Sequence, residues 1–410
     1  MPHSTPLITT IVGGLVLAFI LASIAVRLKL PPLVGYLCAG IVCGPYTPGF
    51  TADSGLAHEL AELGVILLMF GVGLHFSLRD LLSVKHIAVP GAIVQIAVAT
   101  AMGLGLSSMM GWNMGAGLLF GLALSVASTV VLIKAMEDRN LVDTSEGRIA
   151  VGWLIVEDLA MVAALVLIPA LSGALGGRAA ESGGASLWAI LGLTGVKVAA
   201  FVAVMLVIGR RIIPWLLERV VHTGNRELFR LAVLACALGI AYGATALFGV
   251  SFALGAFFAG MVMAESEFSQ RAADESLPMR DAFSVLFFVS VGMLFDPLVL
   301  LRDPWGVLGT FLIILVGKSI AAYLIVRAFR HPQLTALTIS ASLAQIGEFS
   351  FILAGLGVTQ EILPKAGQDL ILAGAILSIL VNPLLFNALD RYRVNLERGR
   401  LRPEEPDPGV

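Results

Sequence analysis

The stretch Val151–Met161, VGWLIVEDLAM, sets Glu157 and Asp158 side by side in an otherwise apolar segment that extends from about Glu146 to Ala170. That length and hydropathy predict a membrane-spanning helix with two carboxylates near its middle. An ionised side chain at a bilayer midplane costs at least about 2.5 to 3.5 kcal/mol on insertion scales, so residues of this kind mark ion or proton paths. The rest of the chain is read around this pair.

Composition agrees with a bilayer environment. Hydrophobic residues make up 58% of the chain and charged residues 13%, with a mean hydropathy of +0.94, which excludes an ordinary soluble domain. A net charge of -2 gives no support to a nucleic-acid partner. Cys38, Cys43 and Cys236 are odd in number and lie in apolar segments, so they are expected to be reduced packing residues, neither a disulfide framework nor a metal site. The first ten residues lack Lys and Arg, so no signal peptide is expected.

Apolar runs of spanning type recur, broken by polar or Pro/Gly residues. Thirteen are expected, near 7–27, 32–44, 57–78, 86–109, 112–136, 147–171, 187–211, 228–248, 251–264, 281–298, 305–328, 333–358 and 367–389. Threading the chain back and forth with its N-terminus outside puts most of the 26 basic residues on one side, among them Arg27, Lys85, Arg139, Arg210, Arg219, Arg271, Arg327 and Arg391. The other side receives only Arg178, Arg302 and Lys365. Cytoplasmic loops retain Lys and Arg, so this predicts an outside N-terminus and a cytoplasmic C-terminus.

The two halves of the chain resemble each other. GYLCAGIVCGP from Gly35 aligns with GAFFAGMVMAE from Gly255, placing Gly40 over Gly260, and the segment from Glu62 aligns with that from Asp281, placing Gly73 over Gly292. Carried through, the register predicts a first six-helix repeat over 1–174, a linker helix over 187–212, a second repeat over 226–390 and a short cytoplasmic tail over 391–410. One linking crossing between even-numbered repeats inverts the second, which is a transporter architecture with its site on broken helices near the midplane. The expected fold is therefore all-α and polytopic.

The same register points to which helices break. SVASTVV, Ser125–Val131, falls over AQIGEFS, Ala344–Ser350. Ser125, Ser128 and Thr129 taken alone read as residues that bond back to helix carbonyls. Their correspondence with Gln345, Gly347 and Glu348 turns the reading toward two interrupted helices whose freed backbone groups face an ion. Lys318, in LVGKSIAAY, supplies a positive charge too deep to snorkel. Adjacent positions project about 100° apart on a helix, so Glu157 is assigned to Lys318 and Asp158 to the transported ion. Lys197, in the linker helix, is equally consistent with a structural and a transport role.

VGWLIVEDLAM, LALSVASTVVL from Leu122, GKSIAAY from Gly317 and SLAQIGEFSFIL from Ser342 together resemble the membrane domain of monovalent cation:proton antiporters of the second large bacterial group, nearest to its Kef-type potassium branch. The resemblance covers nearly the whole chain. It implies a sodium:proton antiporter-like fold, a homodimer in a bacterial inner membrane, exchange of K⁺ for H⁺ by an elevator-type movement of helices four to six and eleven to thirteen, and an ion site at the acidic pair, here Glu157 and Asp158, with Lys318 as charge partner. No enzyme activity is implied. Many Kef-type proteins continue into a nucleotide-binding regulatory domain; only about twenty residues follow the last expected span here, and no cofactor is expected in this chain.

Kef proteins carry glutamine before the aspartate, and sodium:proton relatives often aspartate. Glu157 is neither, which leaves Na⁺/H⁺ antiport as the alternative. From another class, a gated K⁺ channel could also use polar broken helices, but no TVGYG-like filter occurs. An intramembrane hydrolase is disfavoured because two adjacent carboxylates on one helix do not straddle a substrate.

Overall fold

The computed structural model describes residues 6–48, 54–75, 78–142, 144–178 and 187–400, and is all-helical among them. In chain order the helices are α1 (Pro6–Arg27), α2 (Pro32–Cys43), α3 (Ser54–His75), α4 (Leu78–Met109), α5 (Met114–Ser125), α6 (Thr129–Glu137) and α7 (Ser145–Leu171). There follow α8 (Leu187–Val204), α9 (Arg210–His222), α10 (Arg226–Phe248), α11 (Phe252–Ala264) and α12 (Ser269–Met293). The last are α13 (Val299–Arg302), α14 (Pro304–Leu312), α15 (Lys318–Ala328), α16 (Gln333–Leu343), α17 (Glu348–Thr359) and α18 (Lys365–Arg400).

Local chemistry sets several of these starts. The side chains of Asn113, Thr144, Asn225 and Ser251 accept hydrogen bonds from backbone N–H groups in the first turns of α5, α7, α10 and α11. These satisfy donors that would otherwise be left without partners, to which a bilayer offers no water. Gly249 ends α10 in the left-handed region, at φ 66°, where glycine carries no steric penalty.

Each of the thirteen expected segments lies largely on helix. Among the described residues, eight helices are long and apolar enough to cross a membrane, or ten when each of two bent pairs is taken as one crossing. Several segments differ from the expectation, α4 among them, which begins at Leu78, ahead of 86. The linker continues past residue 212 through a π-turn at Met205–Gly209 into α9, because its last residues form an amphipathic turn that buries Ile213, Leu217 and Val220. Helix α12 begins at Ser269, ahead of 281, and bends by 47° where Pro278 removes a backbone donor. The run 305–328 is not one α-helix but α14 and α15 joined by a π-turn at Ile313–Gly317. The expected tail is helical to Arg400, and 401–410 lie outside the described residues.

The helices pack as two groups. In one, α1 packs on α2, α12 on α2 and α3, and α11 on α3 and α10; in the other, α4 packs on α5, α7 and α15, α15 on α16, α14 on α18, and α17 on α5 and α18. Glycines seat the first group closely. A Cβ on Gly40 would lie 2.7 Å from Cα of Gly292, and one on Gly73 would lie 3.1 Å from Cα of Gly260. The three cysteines are unpaired thiols, Cys43 and Cys236 buried and Cys38 partly so.

Candidate functional site

The second group contains two interruptions, and they meet. Between α5 and α6 the backbone of Val126 and Ser128 is extended, and Ser128 restarts the helix by accepting a hydrogen bond from Val131 N–H at 3.3 Å. Between α16 and α17 the chain opens over Ala344–Gly347, with Gly347 extended. The first half of one broken helix lies beside the second half of the other, α5 against α17 and α16 against α6. Two positive helix starts and two negative helix ends are thereby brought to one place inside the protein.

Gln345 stitches the crossing. Its Oε1 accepts from Ser128 N–H at 2.9 Å, while its Nε2 donates to the Ser128 carbonyl at 3.1 Å, so the side chain pairs with one residue's backbone in both directions. Ser128 Oγ donates to Glu348 Oε2 at 3.1 Å, which sets a carboxylate at the start of α17. Gly347 makes the approach possible, since a Cβ there would fall 2.6 Å from Cα of Ser128. Gly347→Ala is therefore expected to force the breaks apart, lowering stability by about 1 to 3 kcal/mol and reducing activity, as read by thermal unfolding and a transport assay on one preparation.

Helix α7 brings its acidic pair to this crossing. Glu157 is fully buried and both its oxygens are held: Gln95 Nε2 donates to Oε1 at 2.8 Å and Ala127 N–H to Oε2 at 2.9 Å. Asp158 is 6% exposed and differently placed. Thr129 Oγ1 donates to its Oδ2 at 3.3 Å, and its Oδ1 is buried with no hydrogen-bond partner. Such an oxygen is costly to leave unmatched, and it is the open valence of the site.

Lys318 is fully buried at the first position after the π-turn, a helix irregularity frequent at functional sites. Its ammonium donates to the Gln345 carbonyl at 3.0 Å and forms no direct ion pair with Glu157. The break at Ala344–Gly347 presents a carbonyl that no helix turn occupies, and the lysine takes it. Its charge still acts on Glu157 through space, and the charges of Glu157 and Glu348 act on Asp158.

Seven of the eight residues singled out from the sequence thus converge: Ser128, Thr129, Glu157, Asp158, Lys318, Gln345 and Glu348. Ser125 stands apart, its hydroxyl turned back to the Leu122 carbonyl at 2.7 Å. Two residues were missed. Gln95 anchors Glu157 from α4, and Asn382 donates from α18 to the Ala341 carbonyl at 2.8 Å, steadying the end of α16. Both are lone amides in apolar runs, IVQIA and LVNPL, the same signal that singled out Lys318.

A family model described as sodium/hydrogen exchanger, transmembrane, matches residues 14–389. The chain is 63% identical over 397 residues to a protein of Escherichia coli (strain K12) named putative cation/proton antiporter YbaL, covering 97% of this chain and 71% of that one. It is 32% identical over 361 residues to K(+) efflux antiporter 4 of Arabidopsis thaliana, covering 88% of this chain and 60% of that one. Among solved structures, the sodium proton antiporter MjNhaP1 from Methanocaldococcus jannaschii at pH 8 superposes with a TM-score of 0.71 over 93% of this chain and 98% of its own, at 18% identity. A likeness at that identity speaks for the fold alone.

Proposed function

This chain belongs to the sodium/hydrogen exchanger family, and from that premise we propose that it exchanges potassium for protons through the carboxylate of Asp158. It is a multi-pass membrane protein and a cation/proton antiporter, not an enzyme. The observation that carries the assignment to Asp158 is its unpartnered, buried Oδ1 beside Thr129, at a crossing of two broken helices.

The chemistry is competition for one acid. Burial disfavours a bare carboxylate, so Asp158 holds a counter-charge, either a proton or a cation. The two exclude each other because they take the same oxygen. Thr129 Oγ1 and backbone oxygens at the breaks supply the ligands that replace lost hydration. Glu157 does not compete, since Gln95 and Ala127 already occupy its oxygens. Lys318 and Glu348 balance the helix ends on either side. If the core passes between its two positions only with Asp158 neutralised, exchange is obligatory.

The moving core is the group of α4–α7 and α14–α18, carried past α1–α3, α8 and α10–α12, the group that joins two copies into a homodimer. Inverted repeats over 1–174 and 226–390, thirteen crossings and an outside N-terminus in a bacterial inner membrane complete the reading. Glycine contacts support the repeats. Alignment equates Gly40 with Gly260 and Gly73 with Gly292, and the close contacts run Gly40 to Gly292 and Gly73 to Gly260. A two-fold axis that exchanges the halves maps each of these contacts onto the other.

Potassium is favoured by the Kef-type motifs and by the plant relative, named for K⁺ efflux. Sodium is the second reading, favoured by the description of the family as sodium/hydrogen exchangers. The test is proton flux in proteoliposomes with K⁺, Na⁺, Li⁺ or choline added in turn. Proton movement driven by K⁺ is expected; movement driven by Na⁺ alone would transfer the assignment to sodium, and cation flux without proton movement would make the protein a channel. Competition for one oxygen further requires that the apparent KM for the cation rise with acidity, by about tenfold per pH unit once the proton dominates. A KM independent of pH would refute the shared site.

A further inference from the structure

Lys197 stands on a face of α8 that is otherwise apolar and open, with Leu193 58% and Val196 65% exposed beside it. It is exposed itself, and no carboxylate among the described residues pairs with it. Its ammonium is directed sideways, toward the joint of α10 and α11, where a Cβ built on Gly249 would lie 3.6 Å from Nζ. Between that joint, α8 and the end of α7 lies a cavity of about 190 Å³, whose walls include Leu165, Pro169, Thr194, Lys197, Gly249 and Ser251.

Depth defines what can enter. Along the chain Lys197 precedes Arg210 by thirteen residues, about 20 Å of helix, and Ser251 precedes Glu265 by a similar length. Arg210 and Glu265 pair at 3.0 Å, so Lys197 and the α10–α11 joint are level with each other, about 20 Å from that ion pair and toward the opposite face. Across an apolar layer about 30 Å thick, this leaves about 10 Å to the far headgroups, a gap that the lysine stem and a lipid phosphate drawn toward it close between them. A lone ammonium there requires a counter-charge, and no carboxylate among the described residues supplies one. Hydroxyls of Thr194 and Ser251 add hydrogen-bond donors for an oxyanion, and the apolar flank of α8 suits acyl chains.

We propose that this cavity binds the phosphate of an anionic phospholipid on Lys197, and that the bound lipid restrains α7 against α8 and the α10–α11 joint. Leu165 lies two turns from Asp158 on the same face of α7, so an occupant bridges the helix that carries the ion site to helices of the other group. Binding does not depend on the antiporter reading; the effect on exchange does.

The test is thermal unfolding of the purified full chain with phosphatidylglycerol, phosphatidylcholine or inorganic phosphate, for wild type, Lys197→Gln, Lys197→Arg and, as a control, Arg211→Gln. Phosphatidylglycerol is expected to raise the Tm of wild type, Lys197→Arg and Arg211→Gln above its value in phosphatidylcholine, and Lys197→Gln to lose that increment. An equal increment in wild type and Lys197→Gln overturns the site. Equal protection by inorganic phosphate overturns the lipid as its source. In vesicles, the ratio of exchange rates between the two lipids is expected to differ from one in wild type and to return toward one in Lys197→Gln; a ratio unchanged by the substitution overturns the restraint while the Tm series still reports on binding.

Discussion

Asp158→Asn is expected to abolish cation-driven proton movement in proteoliposomes while leaving a folded protein with an unfolding temperature at or above that of wild type. The substitution keeps the shape and a side-chain oxygen for Thr129 Oγ1, which now donates to Asp158 Oδ2 at 3.3 Å. It removes the charge that must be neutralised by a proton or a cation. A buried carboxylate with one unpartnered oxygen is costly, so its neutral isostere leaves the fold no worse off. Loss of exchange with retained stability separates this role from a structural one. Full exchange in Asp158→Asn would sink the assignment.

The second large effect is expected from Lys318→Ala, and its sign is opposite. Lys318 is fully buried, donates to the Gln345 carbonyl at 3.0 Å and opposes the charge of Glu157 through space. Removing it leaves a negative helix end and a buried acid without compensation, together with a cavity the size of its side chain. Breaking a buried charge arrangement of this kind costs about 3 to 5 kcal/mol. Thermal unfolding is expected to show the loss directly, and an unchanged Tm would argue against the lysine's place at the crossing. Glu157→Gln added to Lys318→Ala is expected to recover part of it, because the acid then needs no counter-charge. Independent, additive effects would show that the two residues are uncoupled.

These two variants test parts of the site that were legible to different degrees. The acidic pair, the two interruptions and the deep lysine stand out in the chain because a charged or unpaired polar group inside a bilayer is expensive wherever the fold puts it. The expectation of a repeat has a related ground: glycines that let helices approach recur at nearly the same spacing in both halves, Gly40 and Gly73 against Gly260 and Gly292. What did not follow is which polar group satisfies which. Charge alone pairs Lys318 with Glu157, yet the lysine's hydrogen bond goes to a carbonyl that exists as an open acceptor only because a helix stops at Leu343. Gln95 shows in the sequence only as a lone amide in an apolar run, and its partner Glu157, 62 residues away, is set by the packing of α4 on α7.

The sequence by itself determined an all-helical membrane protein with carboxylates at its centre, two broken helices and a deep positive charge, since hydropathy and the cost of polarity in lipid act on each segment before any tertiary contact forms. Only the tertiary structure decided that Glu157 is the held acid and Asp158 the open one. That distinction rests on Gln95 and Ala127 reaching Glu157 while Asp158 Oδ1 finds no partner. Two carboxylates that are neighbours in the chain differ because a helix turns them about 100° apart, toward different surroundings that distant segments supply.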